Sequence, residues 1–116
     1  EGADYITPIS ENIKTQMRKG ILEYCVLSII SSRDEAYTSD VIEVLREADL
    51  LVVEGTVYPL LTRMKNNGLL TYRWEESREG PPRKYFRLTP EGAALLADLE
   101  QEWNAITASI QKVTTT

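Results

Sequence analysis

The sequence predicts a mainly α-helical fold with a small antiparallel β-wing and a long C-terminal helix. Three observations support this fold class. Residues 53–68 place apolar side chains at helical spacing and end on a glycine. Residues 70–74 and 83–88 then alternate in polarity on either side of Gly80-Pro81-Pro82, which is typical of a β-hairpin. Residues 89–113 carry an apolar heptad repeat. A helix followed by a basic β-ribbon is the layout of a winged helix-turn-helix.

The 116 residues fit one domain with helical extensions. We predict an irregular N-terminal segment over residues 1–9 and a winged helix-turn-helix domain over residues 10–88. Residues 89–113 are predicted to form a dimerisation helix, and residues 114–116 a disordered tail.

The first helix is expected to begin with Ser10 as its N-cap and to run through Gly20 to about Ser32. From Ile21 onward this segment is apolar nearly all round, which predicts a central position in the core. Cys25 lies within it and is interpreted as a buried, inert thiol.

The second helix should start near Thr38 or Ser39, because either hydroxyl can cap it. Its inward stripe would consist of Val41, Val44, Leu45 and Ala48. The free N–H groups at such a helix start could hold a DNA phosphate, and the alternative is a plain N-cap. Leu50–Val53 is short and partly β-branched, so it is expected as a third, edge strand of the wing sheet.

The third helix, from Val57 to Asn67, is closed by Gly68. Its inward face is Val57, Leu60, Leu61 and Met64, and its outer face is Gly55, Pro59, Thr62 and Asn66. Tyr58, Arg63 and Lys65 flank the outer face. Small and polar groups beside two cations suit contact with base edges and phosphates. An ordinary amphipathic helix with a solvated face is the alternative.

Charge is distributed unevenly along the chain, which has a net charge of −5 and no histidine. Residues 54–87 hold seven cations and four anions, and they form the only positive segment. A concentrated positive surface favours DNA through counterion release. The alternative is a cross-strand charge pattern, in which Glu75 and Glu76 face Arg83 and Lys84 on a solvated hairpin.

The last helix has a strong start, with Thr89 as N-cap, Pro90 in the first helical position and Glu91 near the positive end of the dipole. Its apolar seam is Leu96, Leu99, Trp103, Ile106, Ile110 and Val113. The seam predicts pairing with the same helix of a second copy. The alternative is packing on the apolar residues Ile6, Ile9, Ile13 and Met17 of the same chain, and both can hold in a bundle of two chains.

Several classes of protein are disfavoured. With no histidine, one cysteine, no glycine-rich phosphate loop and no spaced ligand cluster, the chain is not expected to be an enzyme or to need a cofactor or metal. No apolar run is long enough to span a bilayer, so no membrane partner is expected. A single cysteine and no visible signal peptide fit a cytoplasmic protein.

Three stretches together resemble PadR-type transcriptional regulators. They are Met17-Arg18-Lys19-Gly20-Ile21-Leu22-Glu23, Val53-Glu54-Gly55-Thr56-Val57-Tyr58-Pro59-Leu60-Leu61, and the wing from Arg73 through Gly80-Pro81-Pro82-Arg83-Lys84-Tyr85-Phe86 to Gly92. The resemblance covers roughly residues 11–113, and the single C-terminal helix is similar to the shorter subgroup of the family.

The resemblance implies a homodimeric repressor that binds a palindromic operator in double-stranded DNA. The DNA contacts that it implies are Thr38, Ser39, Gly55, Thr56, Tyr58, Arg63, Arg83 and Lys84. Trp103 falls where some short members stack a tryptophan on a planar small-molecule effector, and plain interface packing is the alternative role. A winged-helix module that binds only protein is the alternative function.

Overall fold

The computed structural model describes residues 2–50 and 53–116 and confirms the predicted fold class. The elements in chain order are α1 (Gly2–Arg18), α2 (Ile21–Arg33), β1 (Ala36–Tyr37), α3 (Thr38–Glu47), a 3₁₀ turn (Glu54–Thr56), α4 (Val57–Asn66), β2 (Leu70–Glu75), β3 (Arg83–Leu88) and α5 (Pro90–Thr114). Helices dominate, and the three strands form one small antiparallel sheet.

The N-terminal region differs from the prediction in two ways. Residues 2–9 are helical rather than irregular. Pro8 lies inside α1, where it removes one backbone hydrogen bond without ending the helix. The helix also does not run through Gly20. Gly20 has a φ of 89°, in the left-handed region that glycine tolerates, so α1 ends at Arg18 and α2 begins at Ile21.

The third strand comes from an unexpected segment. The sheet order is β1-β3-β2, and Ala36 and Tyr37 pair with Phe86 and Tyr85 of β3. The prediction of a strand over Leu50–Val53 is wrong for Leu50 and Val53, the two residues of this segment that the structure describes. The Leu50 N–H donates to the Leu45 carbonyl at 2.9 Å and so closes α3. Val53 is the residue before the 3₁₀ turn, and Leu51 and Val52 lie outside the described residues.

The start of α3 is set by the strand before it. Tyr37 is the N-cap residue, and neither Thr38 nor Ser39 caps the helix, because β1 runs directly into α3. The carboxylate of Asp40 instead accepts a hydrogen bond from the Tyr37 N–H at 3.4 Å. The helix therefore begins where predicted, with a different capping arrangement.

The core forms where α2, α3, α4 and the inner face of the sheet meet. Its buried apolar residues are Val26, Leu27, Ile30, Ala36, Val41, Ile42, Leu45, Val57, Leu60, Leu61, Met64, Leu70 and Phe86. The central position of α2 is confirmed, since three of its residues belong to this set. Cys25 is half-buried rather than fully buried, and this partial burial raises the pKa of its thiol.

A tight junction fixes α5 against the end of α4. The Thr89 hydroxyl donates to the Gly68 carbonyl at 2.6 Å and accepts from the Gly92 N–H at 3.0 Å, which confirms Thr89 as the N-cap. The Thr89 N–H donates to the Leu69 carbonyl at 3.1 Å. Gly92 is buried against the Leu69 backbone with no room for a side chain.

The C-terminal end of α5 is more ordered than predicted. The helix continues to Thr114, so residue 114 does not belong to a disordered tail. The hydroxyls of Thr114 and Thr115 donate to the Ile110 and Gln111 carbonyls at 2.8 and 2.6 Å, and the Gln111 carbonyl also accepts from the Thr115 N–H at 3.1 Å.

The apolar seam of α5 is only partly covered. Leu96 and Leu99 pack against the core, whereas Trp103, Ile106, Ile110 and Val113 are exposed. Ile9, Ile13 and Met17 of α1 are exposed as well, so they do not cover the seam within the same chain. None of the described helices is both long and apolar enough to cross a membrane.

Candidate nucleic-acid interface

The outer face of α4 is an exposed surface on a rigid base. Val57, Leu60, Leu61 and Met64 are buried, as the spacing predicted. Gly55, Thr56 and Thr62 are exposed, and Tyr58 is 51% exposed. The Thr62 hydroxyl donates to the Tyr58 carbonyl at 3.1 Å, and Arg46 of α3 holds Glu54 at 2.6 Å. These contacts fix the entry of α4 and leave its outer side chains open to a ligand.

The start of α3 offers polar groups at the surface. Ser39 is exposed and Thr38 half-exposed. Since Tyr37 takes the N-cap position, neither hydroxyl is used for capping. The first-turn N–H groups carry the positive end of the helix dipole, although the Asp40 carboxylate partly offsets it.

Arg63 lies on the flank of α4 that faces α2. Its guanidinium contacts the Glu23 carboxylate at 3.3 Å, and the Arg63 side chain is 58% exposed. Exposed pairs of this kind contribute about 0–1 kcal/mol, so exchange of Glu23 for a phosphate would cost little. Glu23 was not identified from the sequence, because 40 residues separate the partners.

Arg83 and Lys84 point to opposite faces of the wing. They are neighbours in β3, and successive side chains of a strand alternate between faces. The Arg83 guanidinium lies 4.7 Å from the centre of the Tyr37 ring, beside the start of α3. The Lys84 ammonium lies 4.3 Å from the centre of the Tyr72 ring. The two predicted wing cations therefore serve different sides of the hairpin.

The cross-strand charge alternative holds only in part. The register places Glu75 opposite Arg83 and Trp74 opposite Lys84. The Glu75 carboxylate, however, contacts Arg73 of its own strand at 3.6 Å. Glu76 follows the last residue of β2, outside the paired register. Within the described residues, the hairpin acids do not pair with Arg83 or Lys84.

Two acids from outside the hairpin also bind wing arginines, and both come from the loop between α2 and β1. Glu35 accepts two hydrogen bonds from Arg73, at 2.7 and 3.0 Å, and Asp34 contacts Arg87 at 3.5 Å. The Arg73 guanidinium lowers the pKa of Glu35, and Glu35 in turn raises the pKa of Arg73. Part of the positive charge of residues 54–87 is thus neutralised by acids from elsewhere in the chain.

Trp103 lies apart from these residues, on α5. Its ring centre is 6.4 Å from that of Tyr24 on α2, with 38° between the ring planes. It remains 41% exposed. The residue thus joins α5 to α2 on one side and leaves the other side of the indole open.

Comparison with known proteins agrees with this architecture. Residues 26–98 match the family described as the transcriptional regulator PadR-like family. A solved PadR-like transcription factor from Bacteroides fragilis is 51% identical, with a TM-score of 0.73, over 88% of this chain and 98% of that one. A PadR family transcriptional regulator from Eggerthella lenta is 30% identical, with a TM-score of 0.85, over 98% and 99%. A PadR-like regulator from Bacillus cereus is 33% identical, with a TM-score of 0.74, over 87% and 98%. A family match over more than half of the sequence, a common fold and these identities show that the chain belongs to the PadR-like family of transcriptional regulators.

Proposed function

We propose that the protein is a sequence-specific, homodimeric transcriptional repressor that binds a palindromic operator. The observation that carries this proposal is the exposed outer face of α4, held on a buried core beside a wing with cations on both faces. A helix of this kind enters a major groove, and a charged wing beside it contacts the adjoining backbone.

The proposed DNA contacts follow the three elements. Tyr58 reads base edges from the first turn of α4, while Gly55 and Thr56 permit close approach in the 3₁₀ turn before it. Arg63 holds a phosphate after releasing Glu23. Thr38 and Ser39 bind a phosphate at the start of α3, and Arg83 and Lys84 contact the backbone at the wing. Phosphate contacts position the protein, and base contacts specify the sequence.

Dimerisation is proposed through the exposed part of α5. Ile110 is 52% exposed, and Trp103, Ile106 and Val113 continue the same apolar seam. An apolar stripe of this length is buried most simply against the same stripe of a second copy. The exposed Ile9, Ile13 and Met17 of α1 can join the bundle. Two α4 helices would then stand about one DNA turn apart.

We further propose that a planar compound binds at Trp103 and releases the DNA. The open side of the indole, with Tyr24 behind it, supplies aromatic surface at the proposed interface. A ligand there would favour one spacing of the two α4 helices over another. Quenching of Trp103 fluorescence that is absent from Trp103→Phe would test this, because Trp74 supplies the background emission.

Selection of bound duplexes from a random DNA pool tests the proposed function. The expected product is an inverted repeat, which reports both sequence preference and two-fold symmetry. Tyr58→Ala should change or relax the preferred sequence. Tyr58→Phe removes only the hydroxyl and so distinguishes the contribution of the hydroxyl from that of the ring. If no sequence is enriched at low salt, the DNA-binding proposal is wrong, and a module that binds only protein becomes the better account.

A further inference from the structure

The wing has two faces that differ in what binds their cations. On the inner face, the register pairs Tyr72 with Phe86 and Trp74 with Lys84. Phe86 is buried in the core, so this face begins inside the protein and continues outward along the hairpin. It ends at Trp74, which is 61% exposed.

Two lysines approach the inner face from different elements. The Lys65 ammonium, at the end of α4, lies 5.7 Å from the centre of the Tyr72 ring. The Lys84 ammonium lies 4.3 Å from that ring centre and 5.1 Å from the centre of the Trp74 ring. Neither lysine forms a salt bridge within the described part of the chain. Their charges are held over aromatic rings and remain available to an anion.

The outer face is different, because acids of the protein engage two of its three arginines, while Arg83 lies over the Tyr37 ring. Arg73 is held by Glu35 in a two-bond arrangement, and Arg87 contacts Asp34. Arg73 also lies 4.9 Å from the Tyr85 ring centre, and that ring is 5.3 Å from Tyr37. The contacts of Arg73 and Arg87 tie the hairpin to the loop that precedes β1.

The inner face is continuous with the base-reading side of α4. Tyr58 and Lys65 are seven residues apart on α4, nearly two full turns, so they share one flank. Arg63 lies on the opposite flank, against α2. Lys65, on the same flank of α4 as Tyr58, contacts the Tyr72 ring. Lys84 contacts both Tyr72 and Trp74, so these side chains form a continuous surface from α4 to the wing.

Given the DNA-binding function proposed above, on which this inference rests, we propose that Lys65, Lys84 and Trp74 form one contact strip for the DNA backbone. The two ammonium groups bind phosphates, and the exposed indole packs against deoxyribose at the wing. Arg73 and Arg87 serve the fold instead. Glu76, Pro81 and Pro82 lie beside Trp74 and mark the outer limit of the strip.

The test measures the affinity of the full chain for its selected duplex over a range of salt concentrations by fluorescence anisotropy. Since two chains bind each duplex, Lys65→Gln and Lys84→Gln should each reduce the steepness of log Kd against log salt by about 1.8, the loss of two phosphate contacts at about 0.9 each. Trp74→Ala should weaken binding about fivefold for each of the two wings, the lower end of the range for an aromatic ring stacked on a base, without changing that slope. Arg87→Gln, on the same hairpin but its outer face, should leave the slope unchanged.

A second measurement keeps the DNA-facing side chains native. In Trp103→Phe, once its own DNA affinity has been measured, Trp74 is the only tryptophan. Its emission should change on addition of the selected duplex and stay constant on addition of salt alone.

Two results would overturn the contact strip while leaving the proposed function intact. In the first, the wild type binds the duplex, yet Lys65→Gln and Lys84→Gln keep its salt slope and Trp74 emission does not respond. In the second, Arg87→Gln lowers the slope as much as Lys84→Gln. Failure of the wild type to bind any duplex would overturn both proposals.

Discussion

At the scale of single residues, Glu35 positions the wing. Its carboxylate accepts two hydrogen bonds from the planar guanidinium of Arg73, a geometry that fixes orientation as well as distance. Glu35 precedes β1 directly, so the pair ties the hairpin to the segment that leads into α3. The hairpin and the start of α3, two elements of the proposed DNA surface, are thereby held in a fixed relative position.

This pair predicts a pH-dependent contribution to stability. Arg73 lowers the pKa of Glu35 from its ordinary value of 4.5, so the stabilisation is fully present above that value and is lost as pH falls through the lowered pKa. Glu35→Gln should lower the urea midpoint at pH 7, and the difference from wild type should vanish in acid.

Glu79→Gln is the matched control, since Glu79 lies in the wing turn without a salt bridge in the described chain. Its midpoint should follow that of the wild type at every pH. A Glu35→Gln difference that persisted unchanged in strong acid would contradict the ionic origin of the effect.

The sequence predicted residue types better than their partners. Periodicity identified the inward face of α4 and the exposed position of Tyr58, because both depend on neighbours within a few residues. Glu23, Asp34 and Glu35 lie 40, 53 and 38 residues from the arginines they bind. No local pattern encodes such pairs, and they decide which cations stay available.

At the scale of secondary-structure elements, the joint between α4, β2 and α5 sets the direction of the C-terminal helix. Thr89 binds the Gly68 carbonyl, the Leu69 carbonyl and the Gly92 N–H, so three segments meet at one residue. Gly92 permits this approach, because a Cβ there would overlap the Leu69 carbonyl oxygen.

Gly92→Ala should therefore destabilise the protein by about 3 kcal/mol, the upper part of the usual range for overpacking. Gly80→Ala is the control, since an added Cβ meets nothing within 4 Å there. Urea denaturation of both variants measures the difference. Equal stability of the two would show that the joint relaxes without cost.

Elements with strong local signals were predicted well. Capping and periodicity correctly predicted α4, the hairpin strands β2 and β3, and the start of α5 at Thr89-Pro90. The errors fall where long-range pairing or backbone freedom decides. β1 has two residues and exists only through pairing with β3, and the break at Gly20 depends on a backbone angle.

At the scale of the whole molecule, the far half of α5 and the apolar stripe of α1 are exposed in one chain. A second copy that covers them would explain both exposures at once. It would also set the distance between the two α4 helices, and so the spacing of the half-sites that the dimer can bind.

Ile110→Glu should dissociate the dimer, because it places a carboxylate in the exposed part of the apolar seam, between Ile106 and Val113. Gln101→Glu adds the same charge on the opposite face of α5 and should leave the dimer intact. Light scattering after size-exclusion chromatography reports the mass of each variant. If two Ile110→Glu chains associated as tightly as two wild-type chains, the interface would lie elsewhere.

The mass of the complex between the wild-type chain and its selected duplex tests the central claim most directly. Two chains joined through α5, each with its α4 in a major groove, predict two chains per duplex even when DNA is in excess. The claim would be contradicted if one chain bound each duplex, with the same affinity as for a duplex that contains only one half-site.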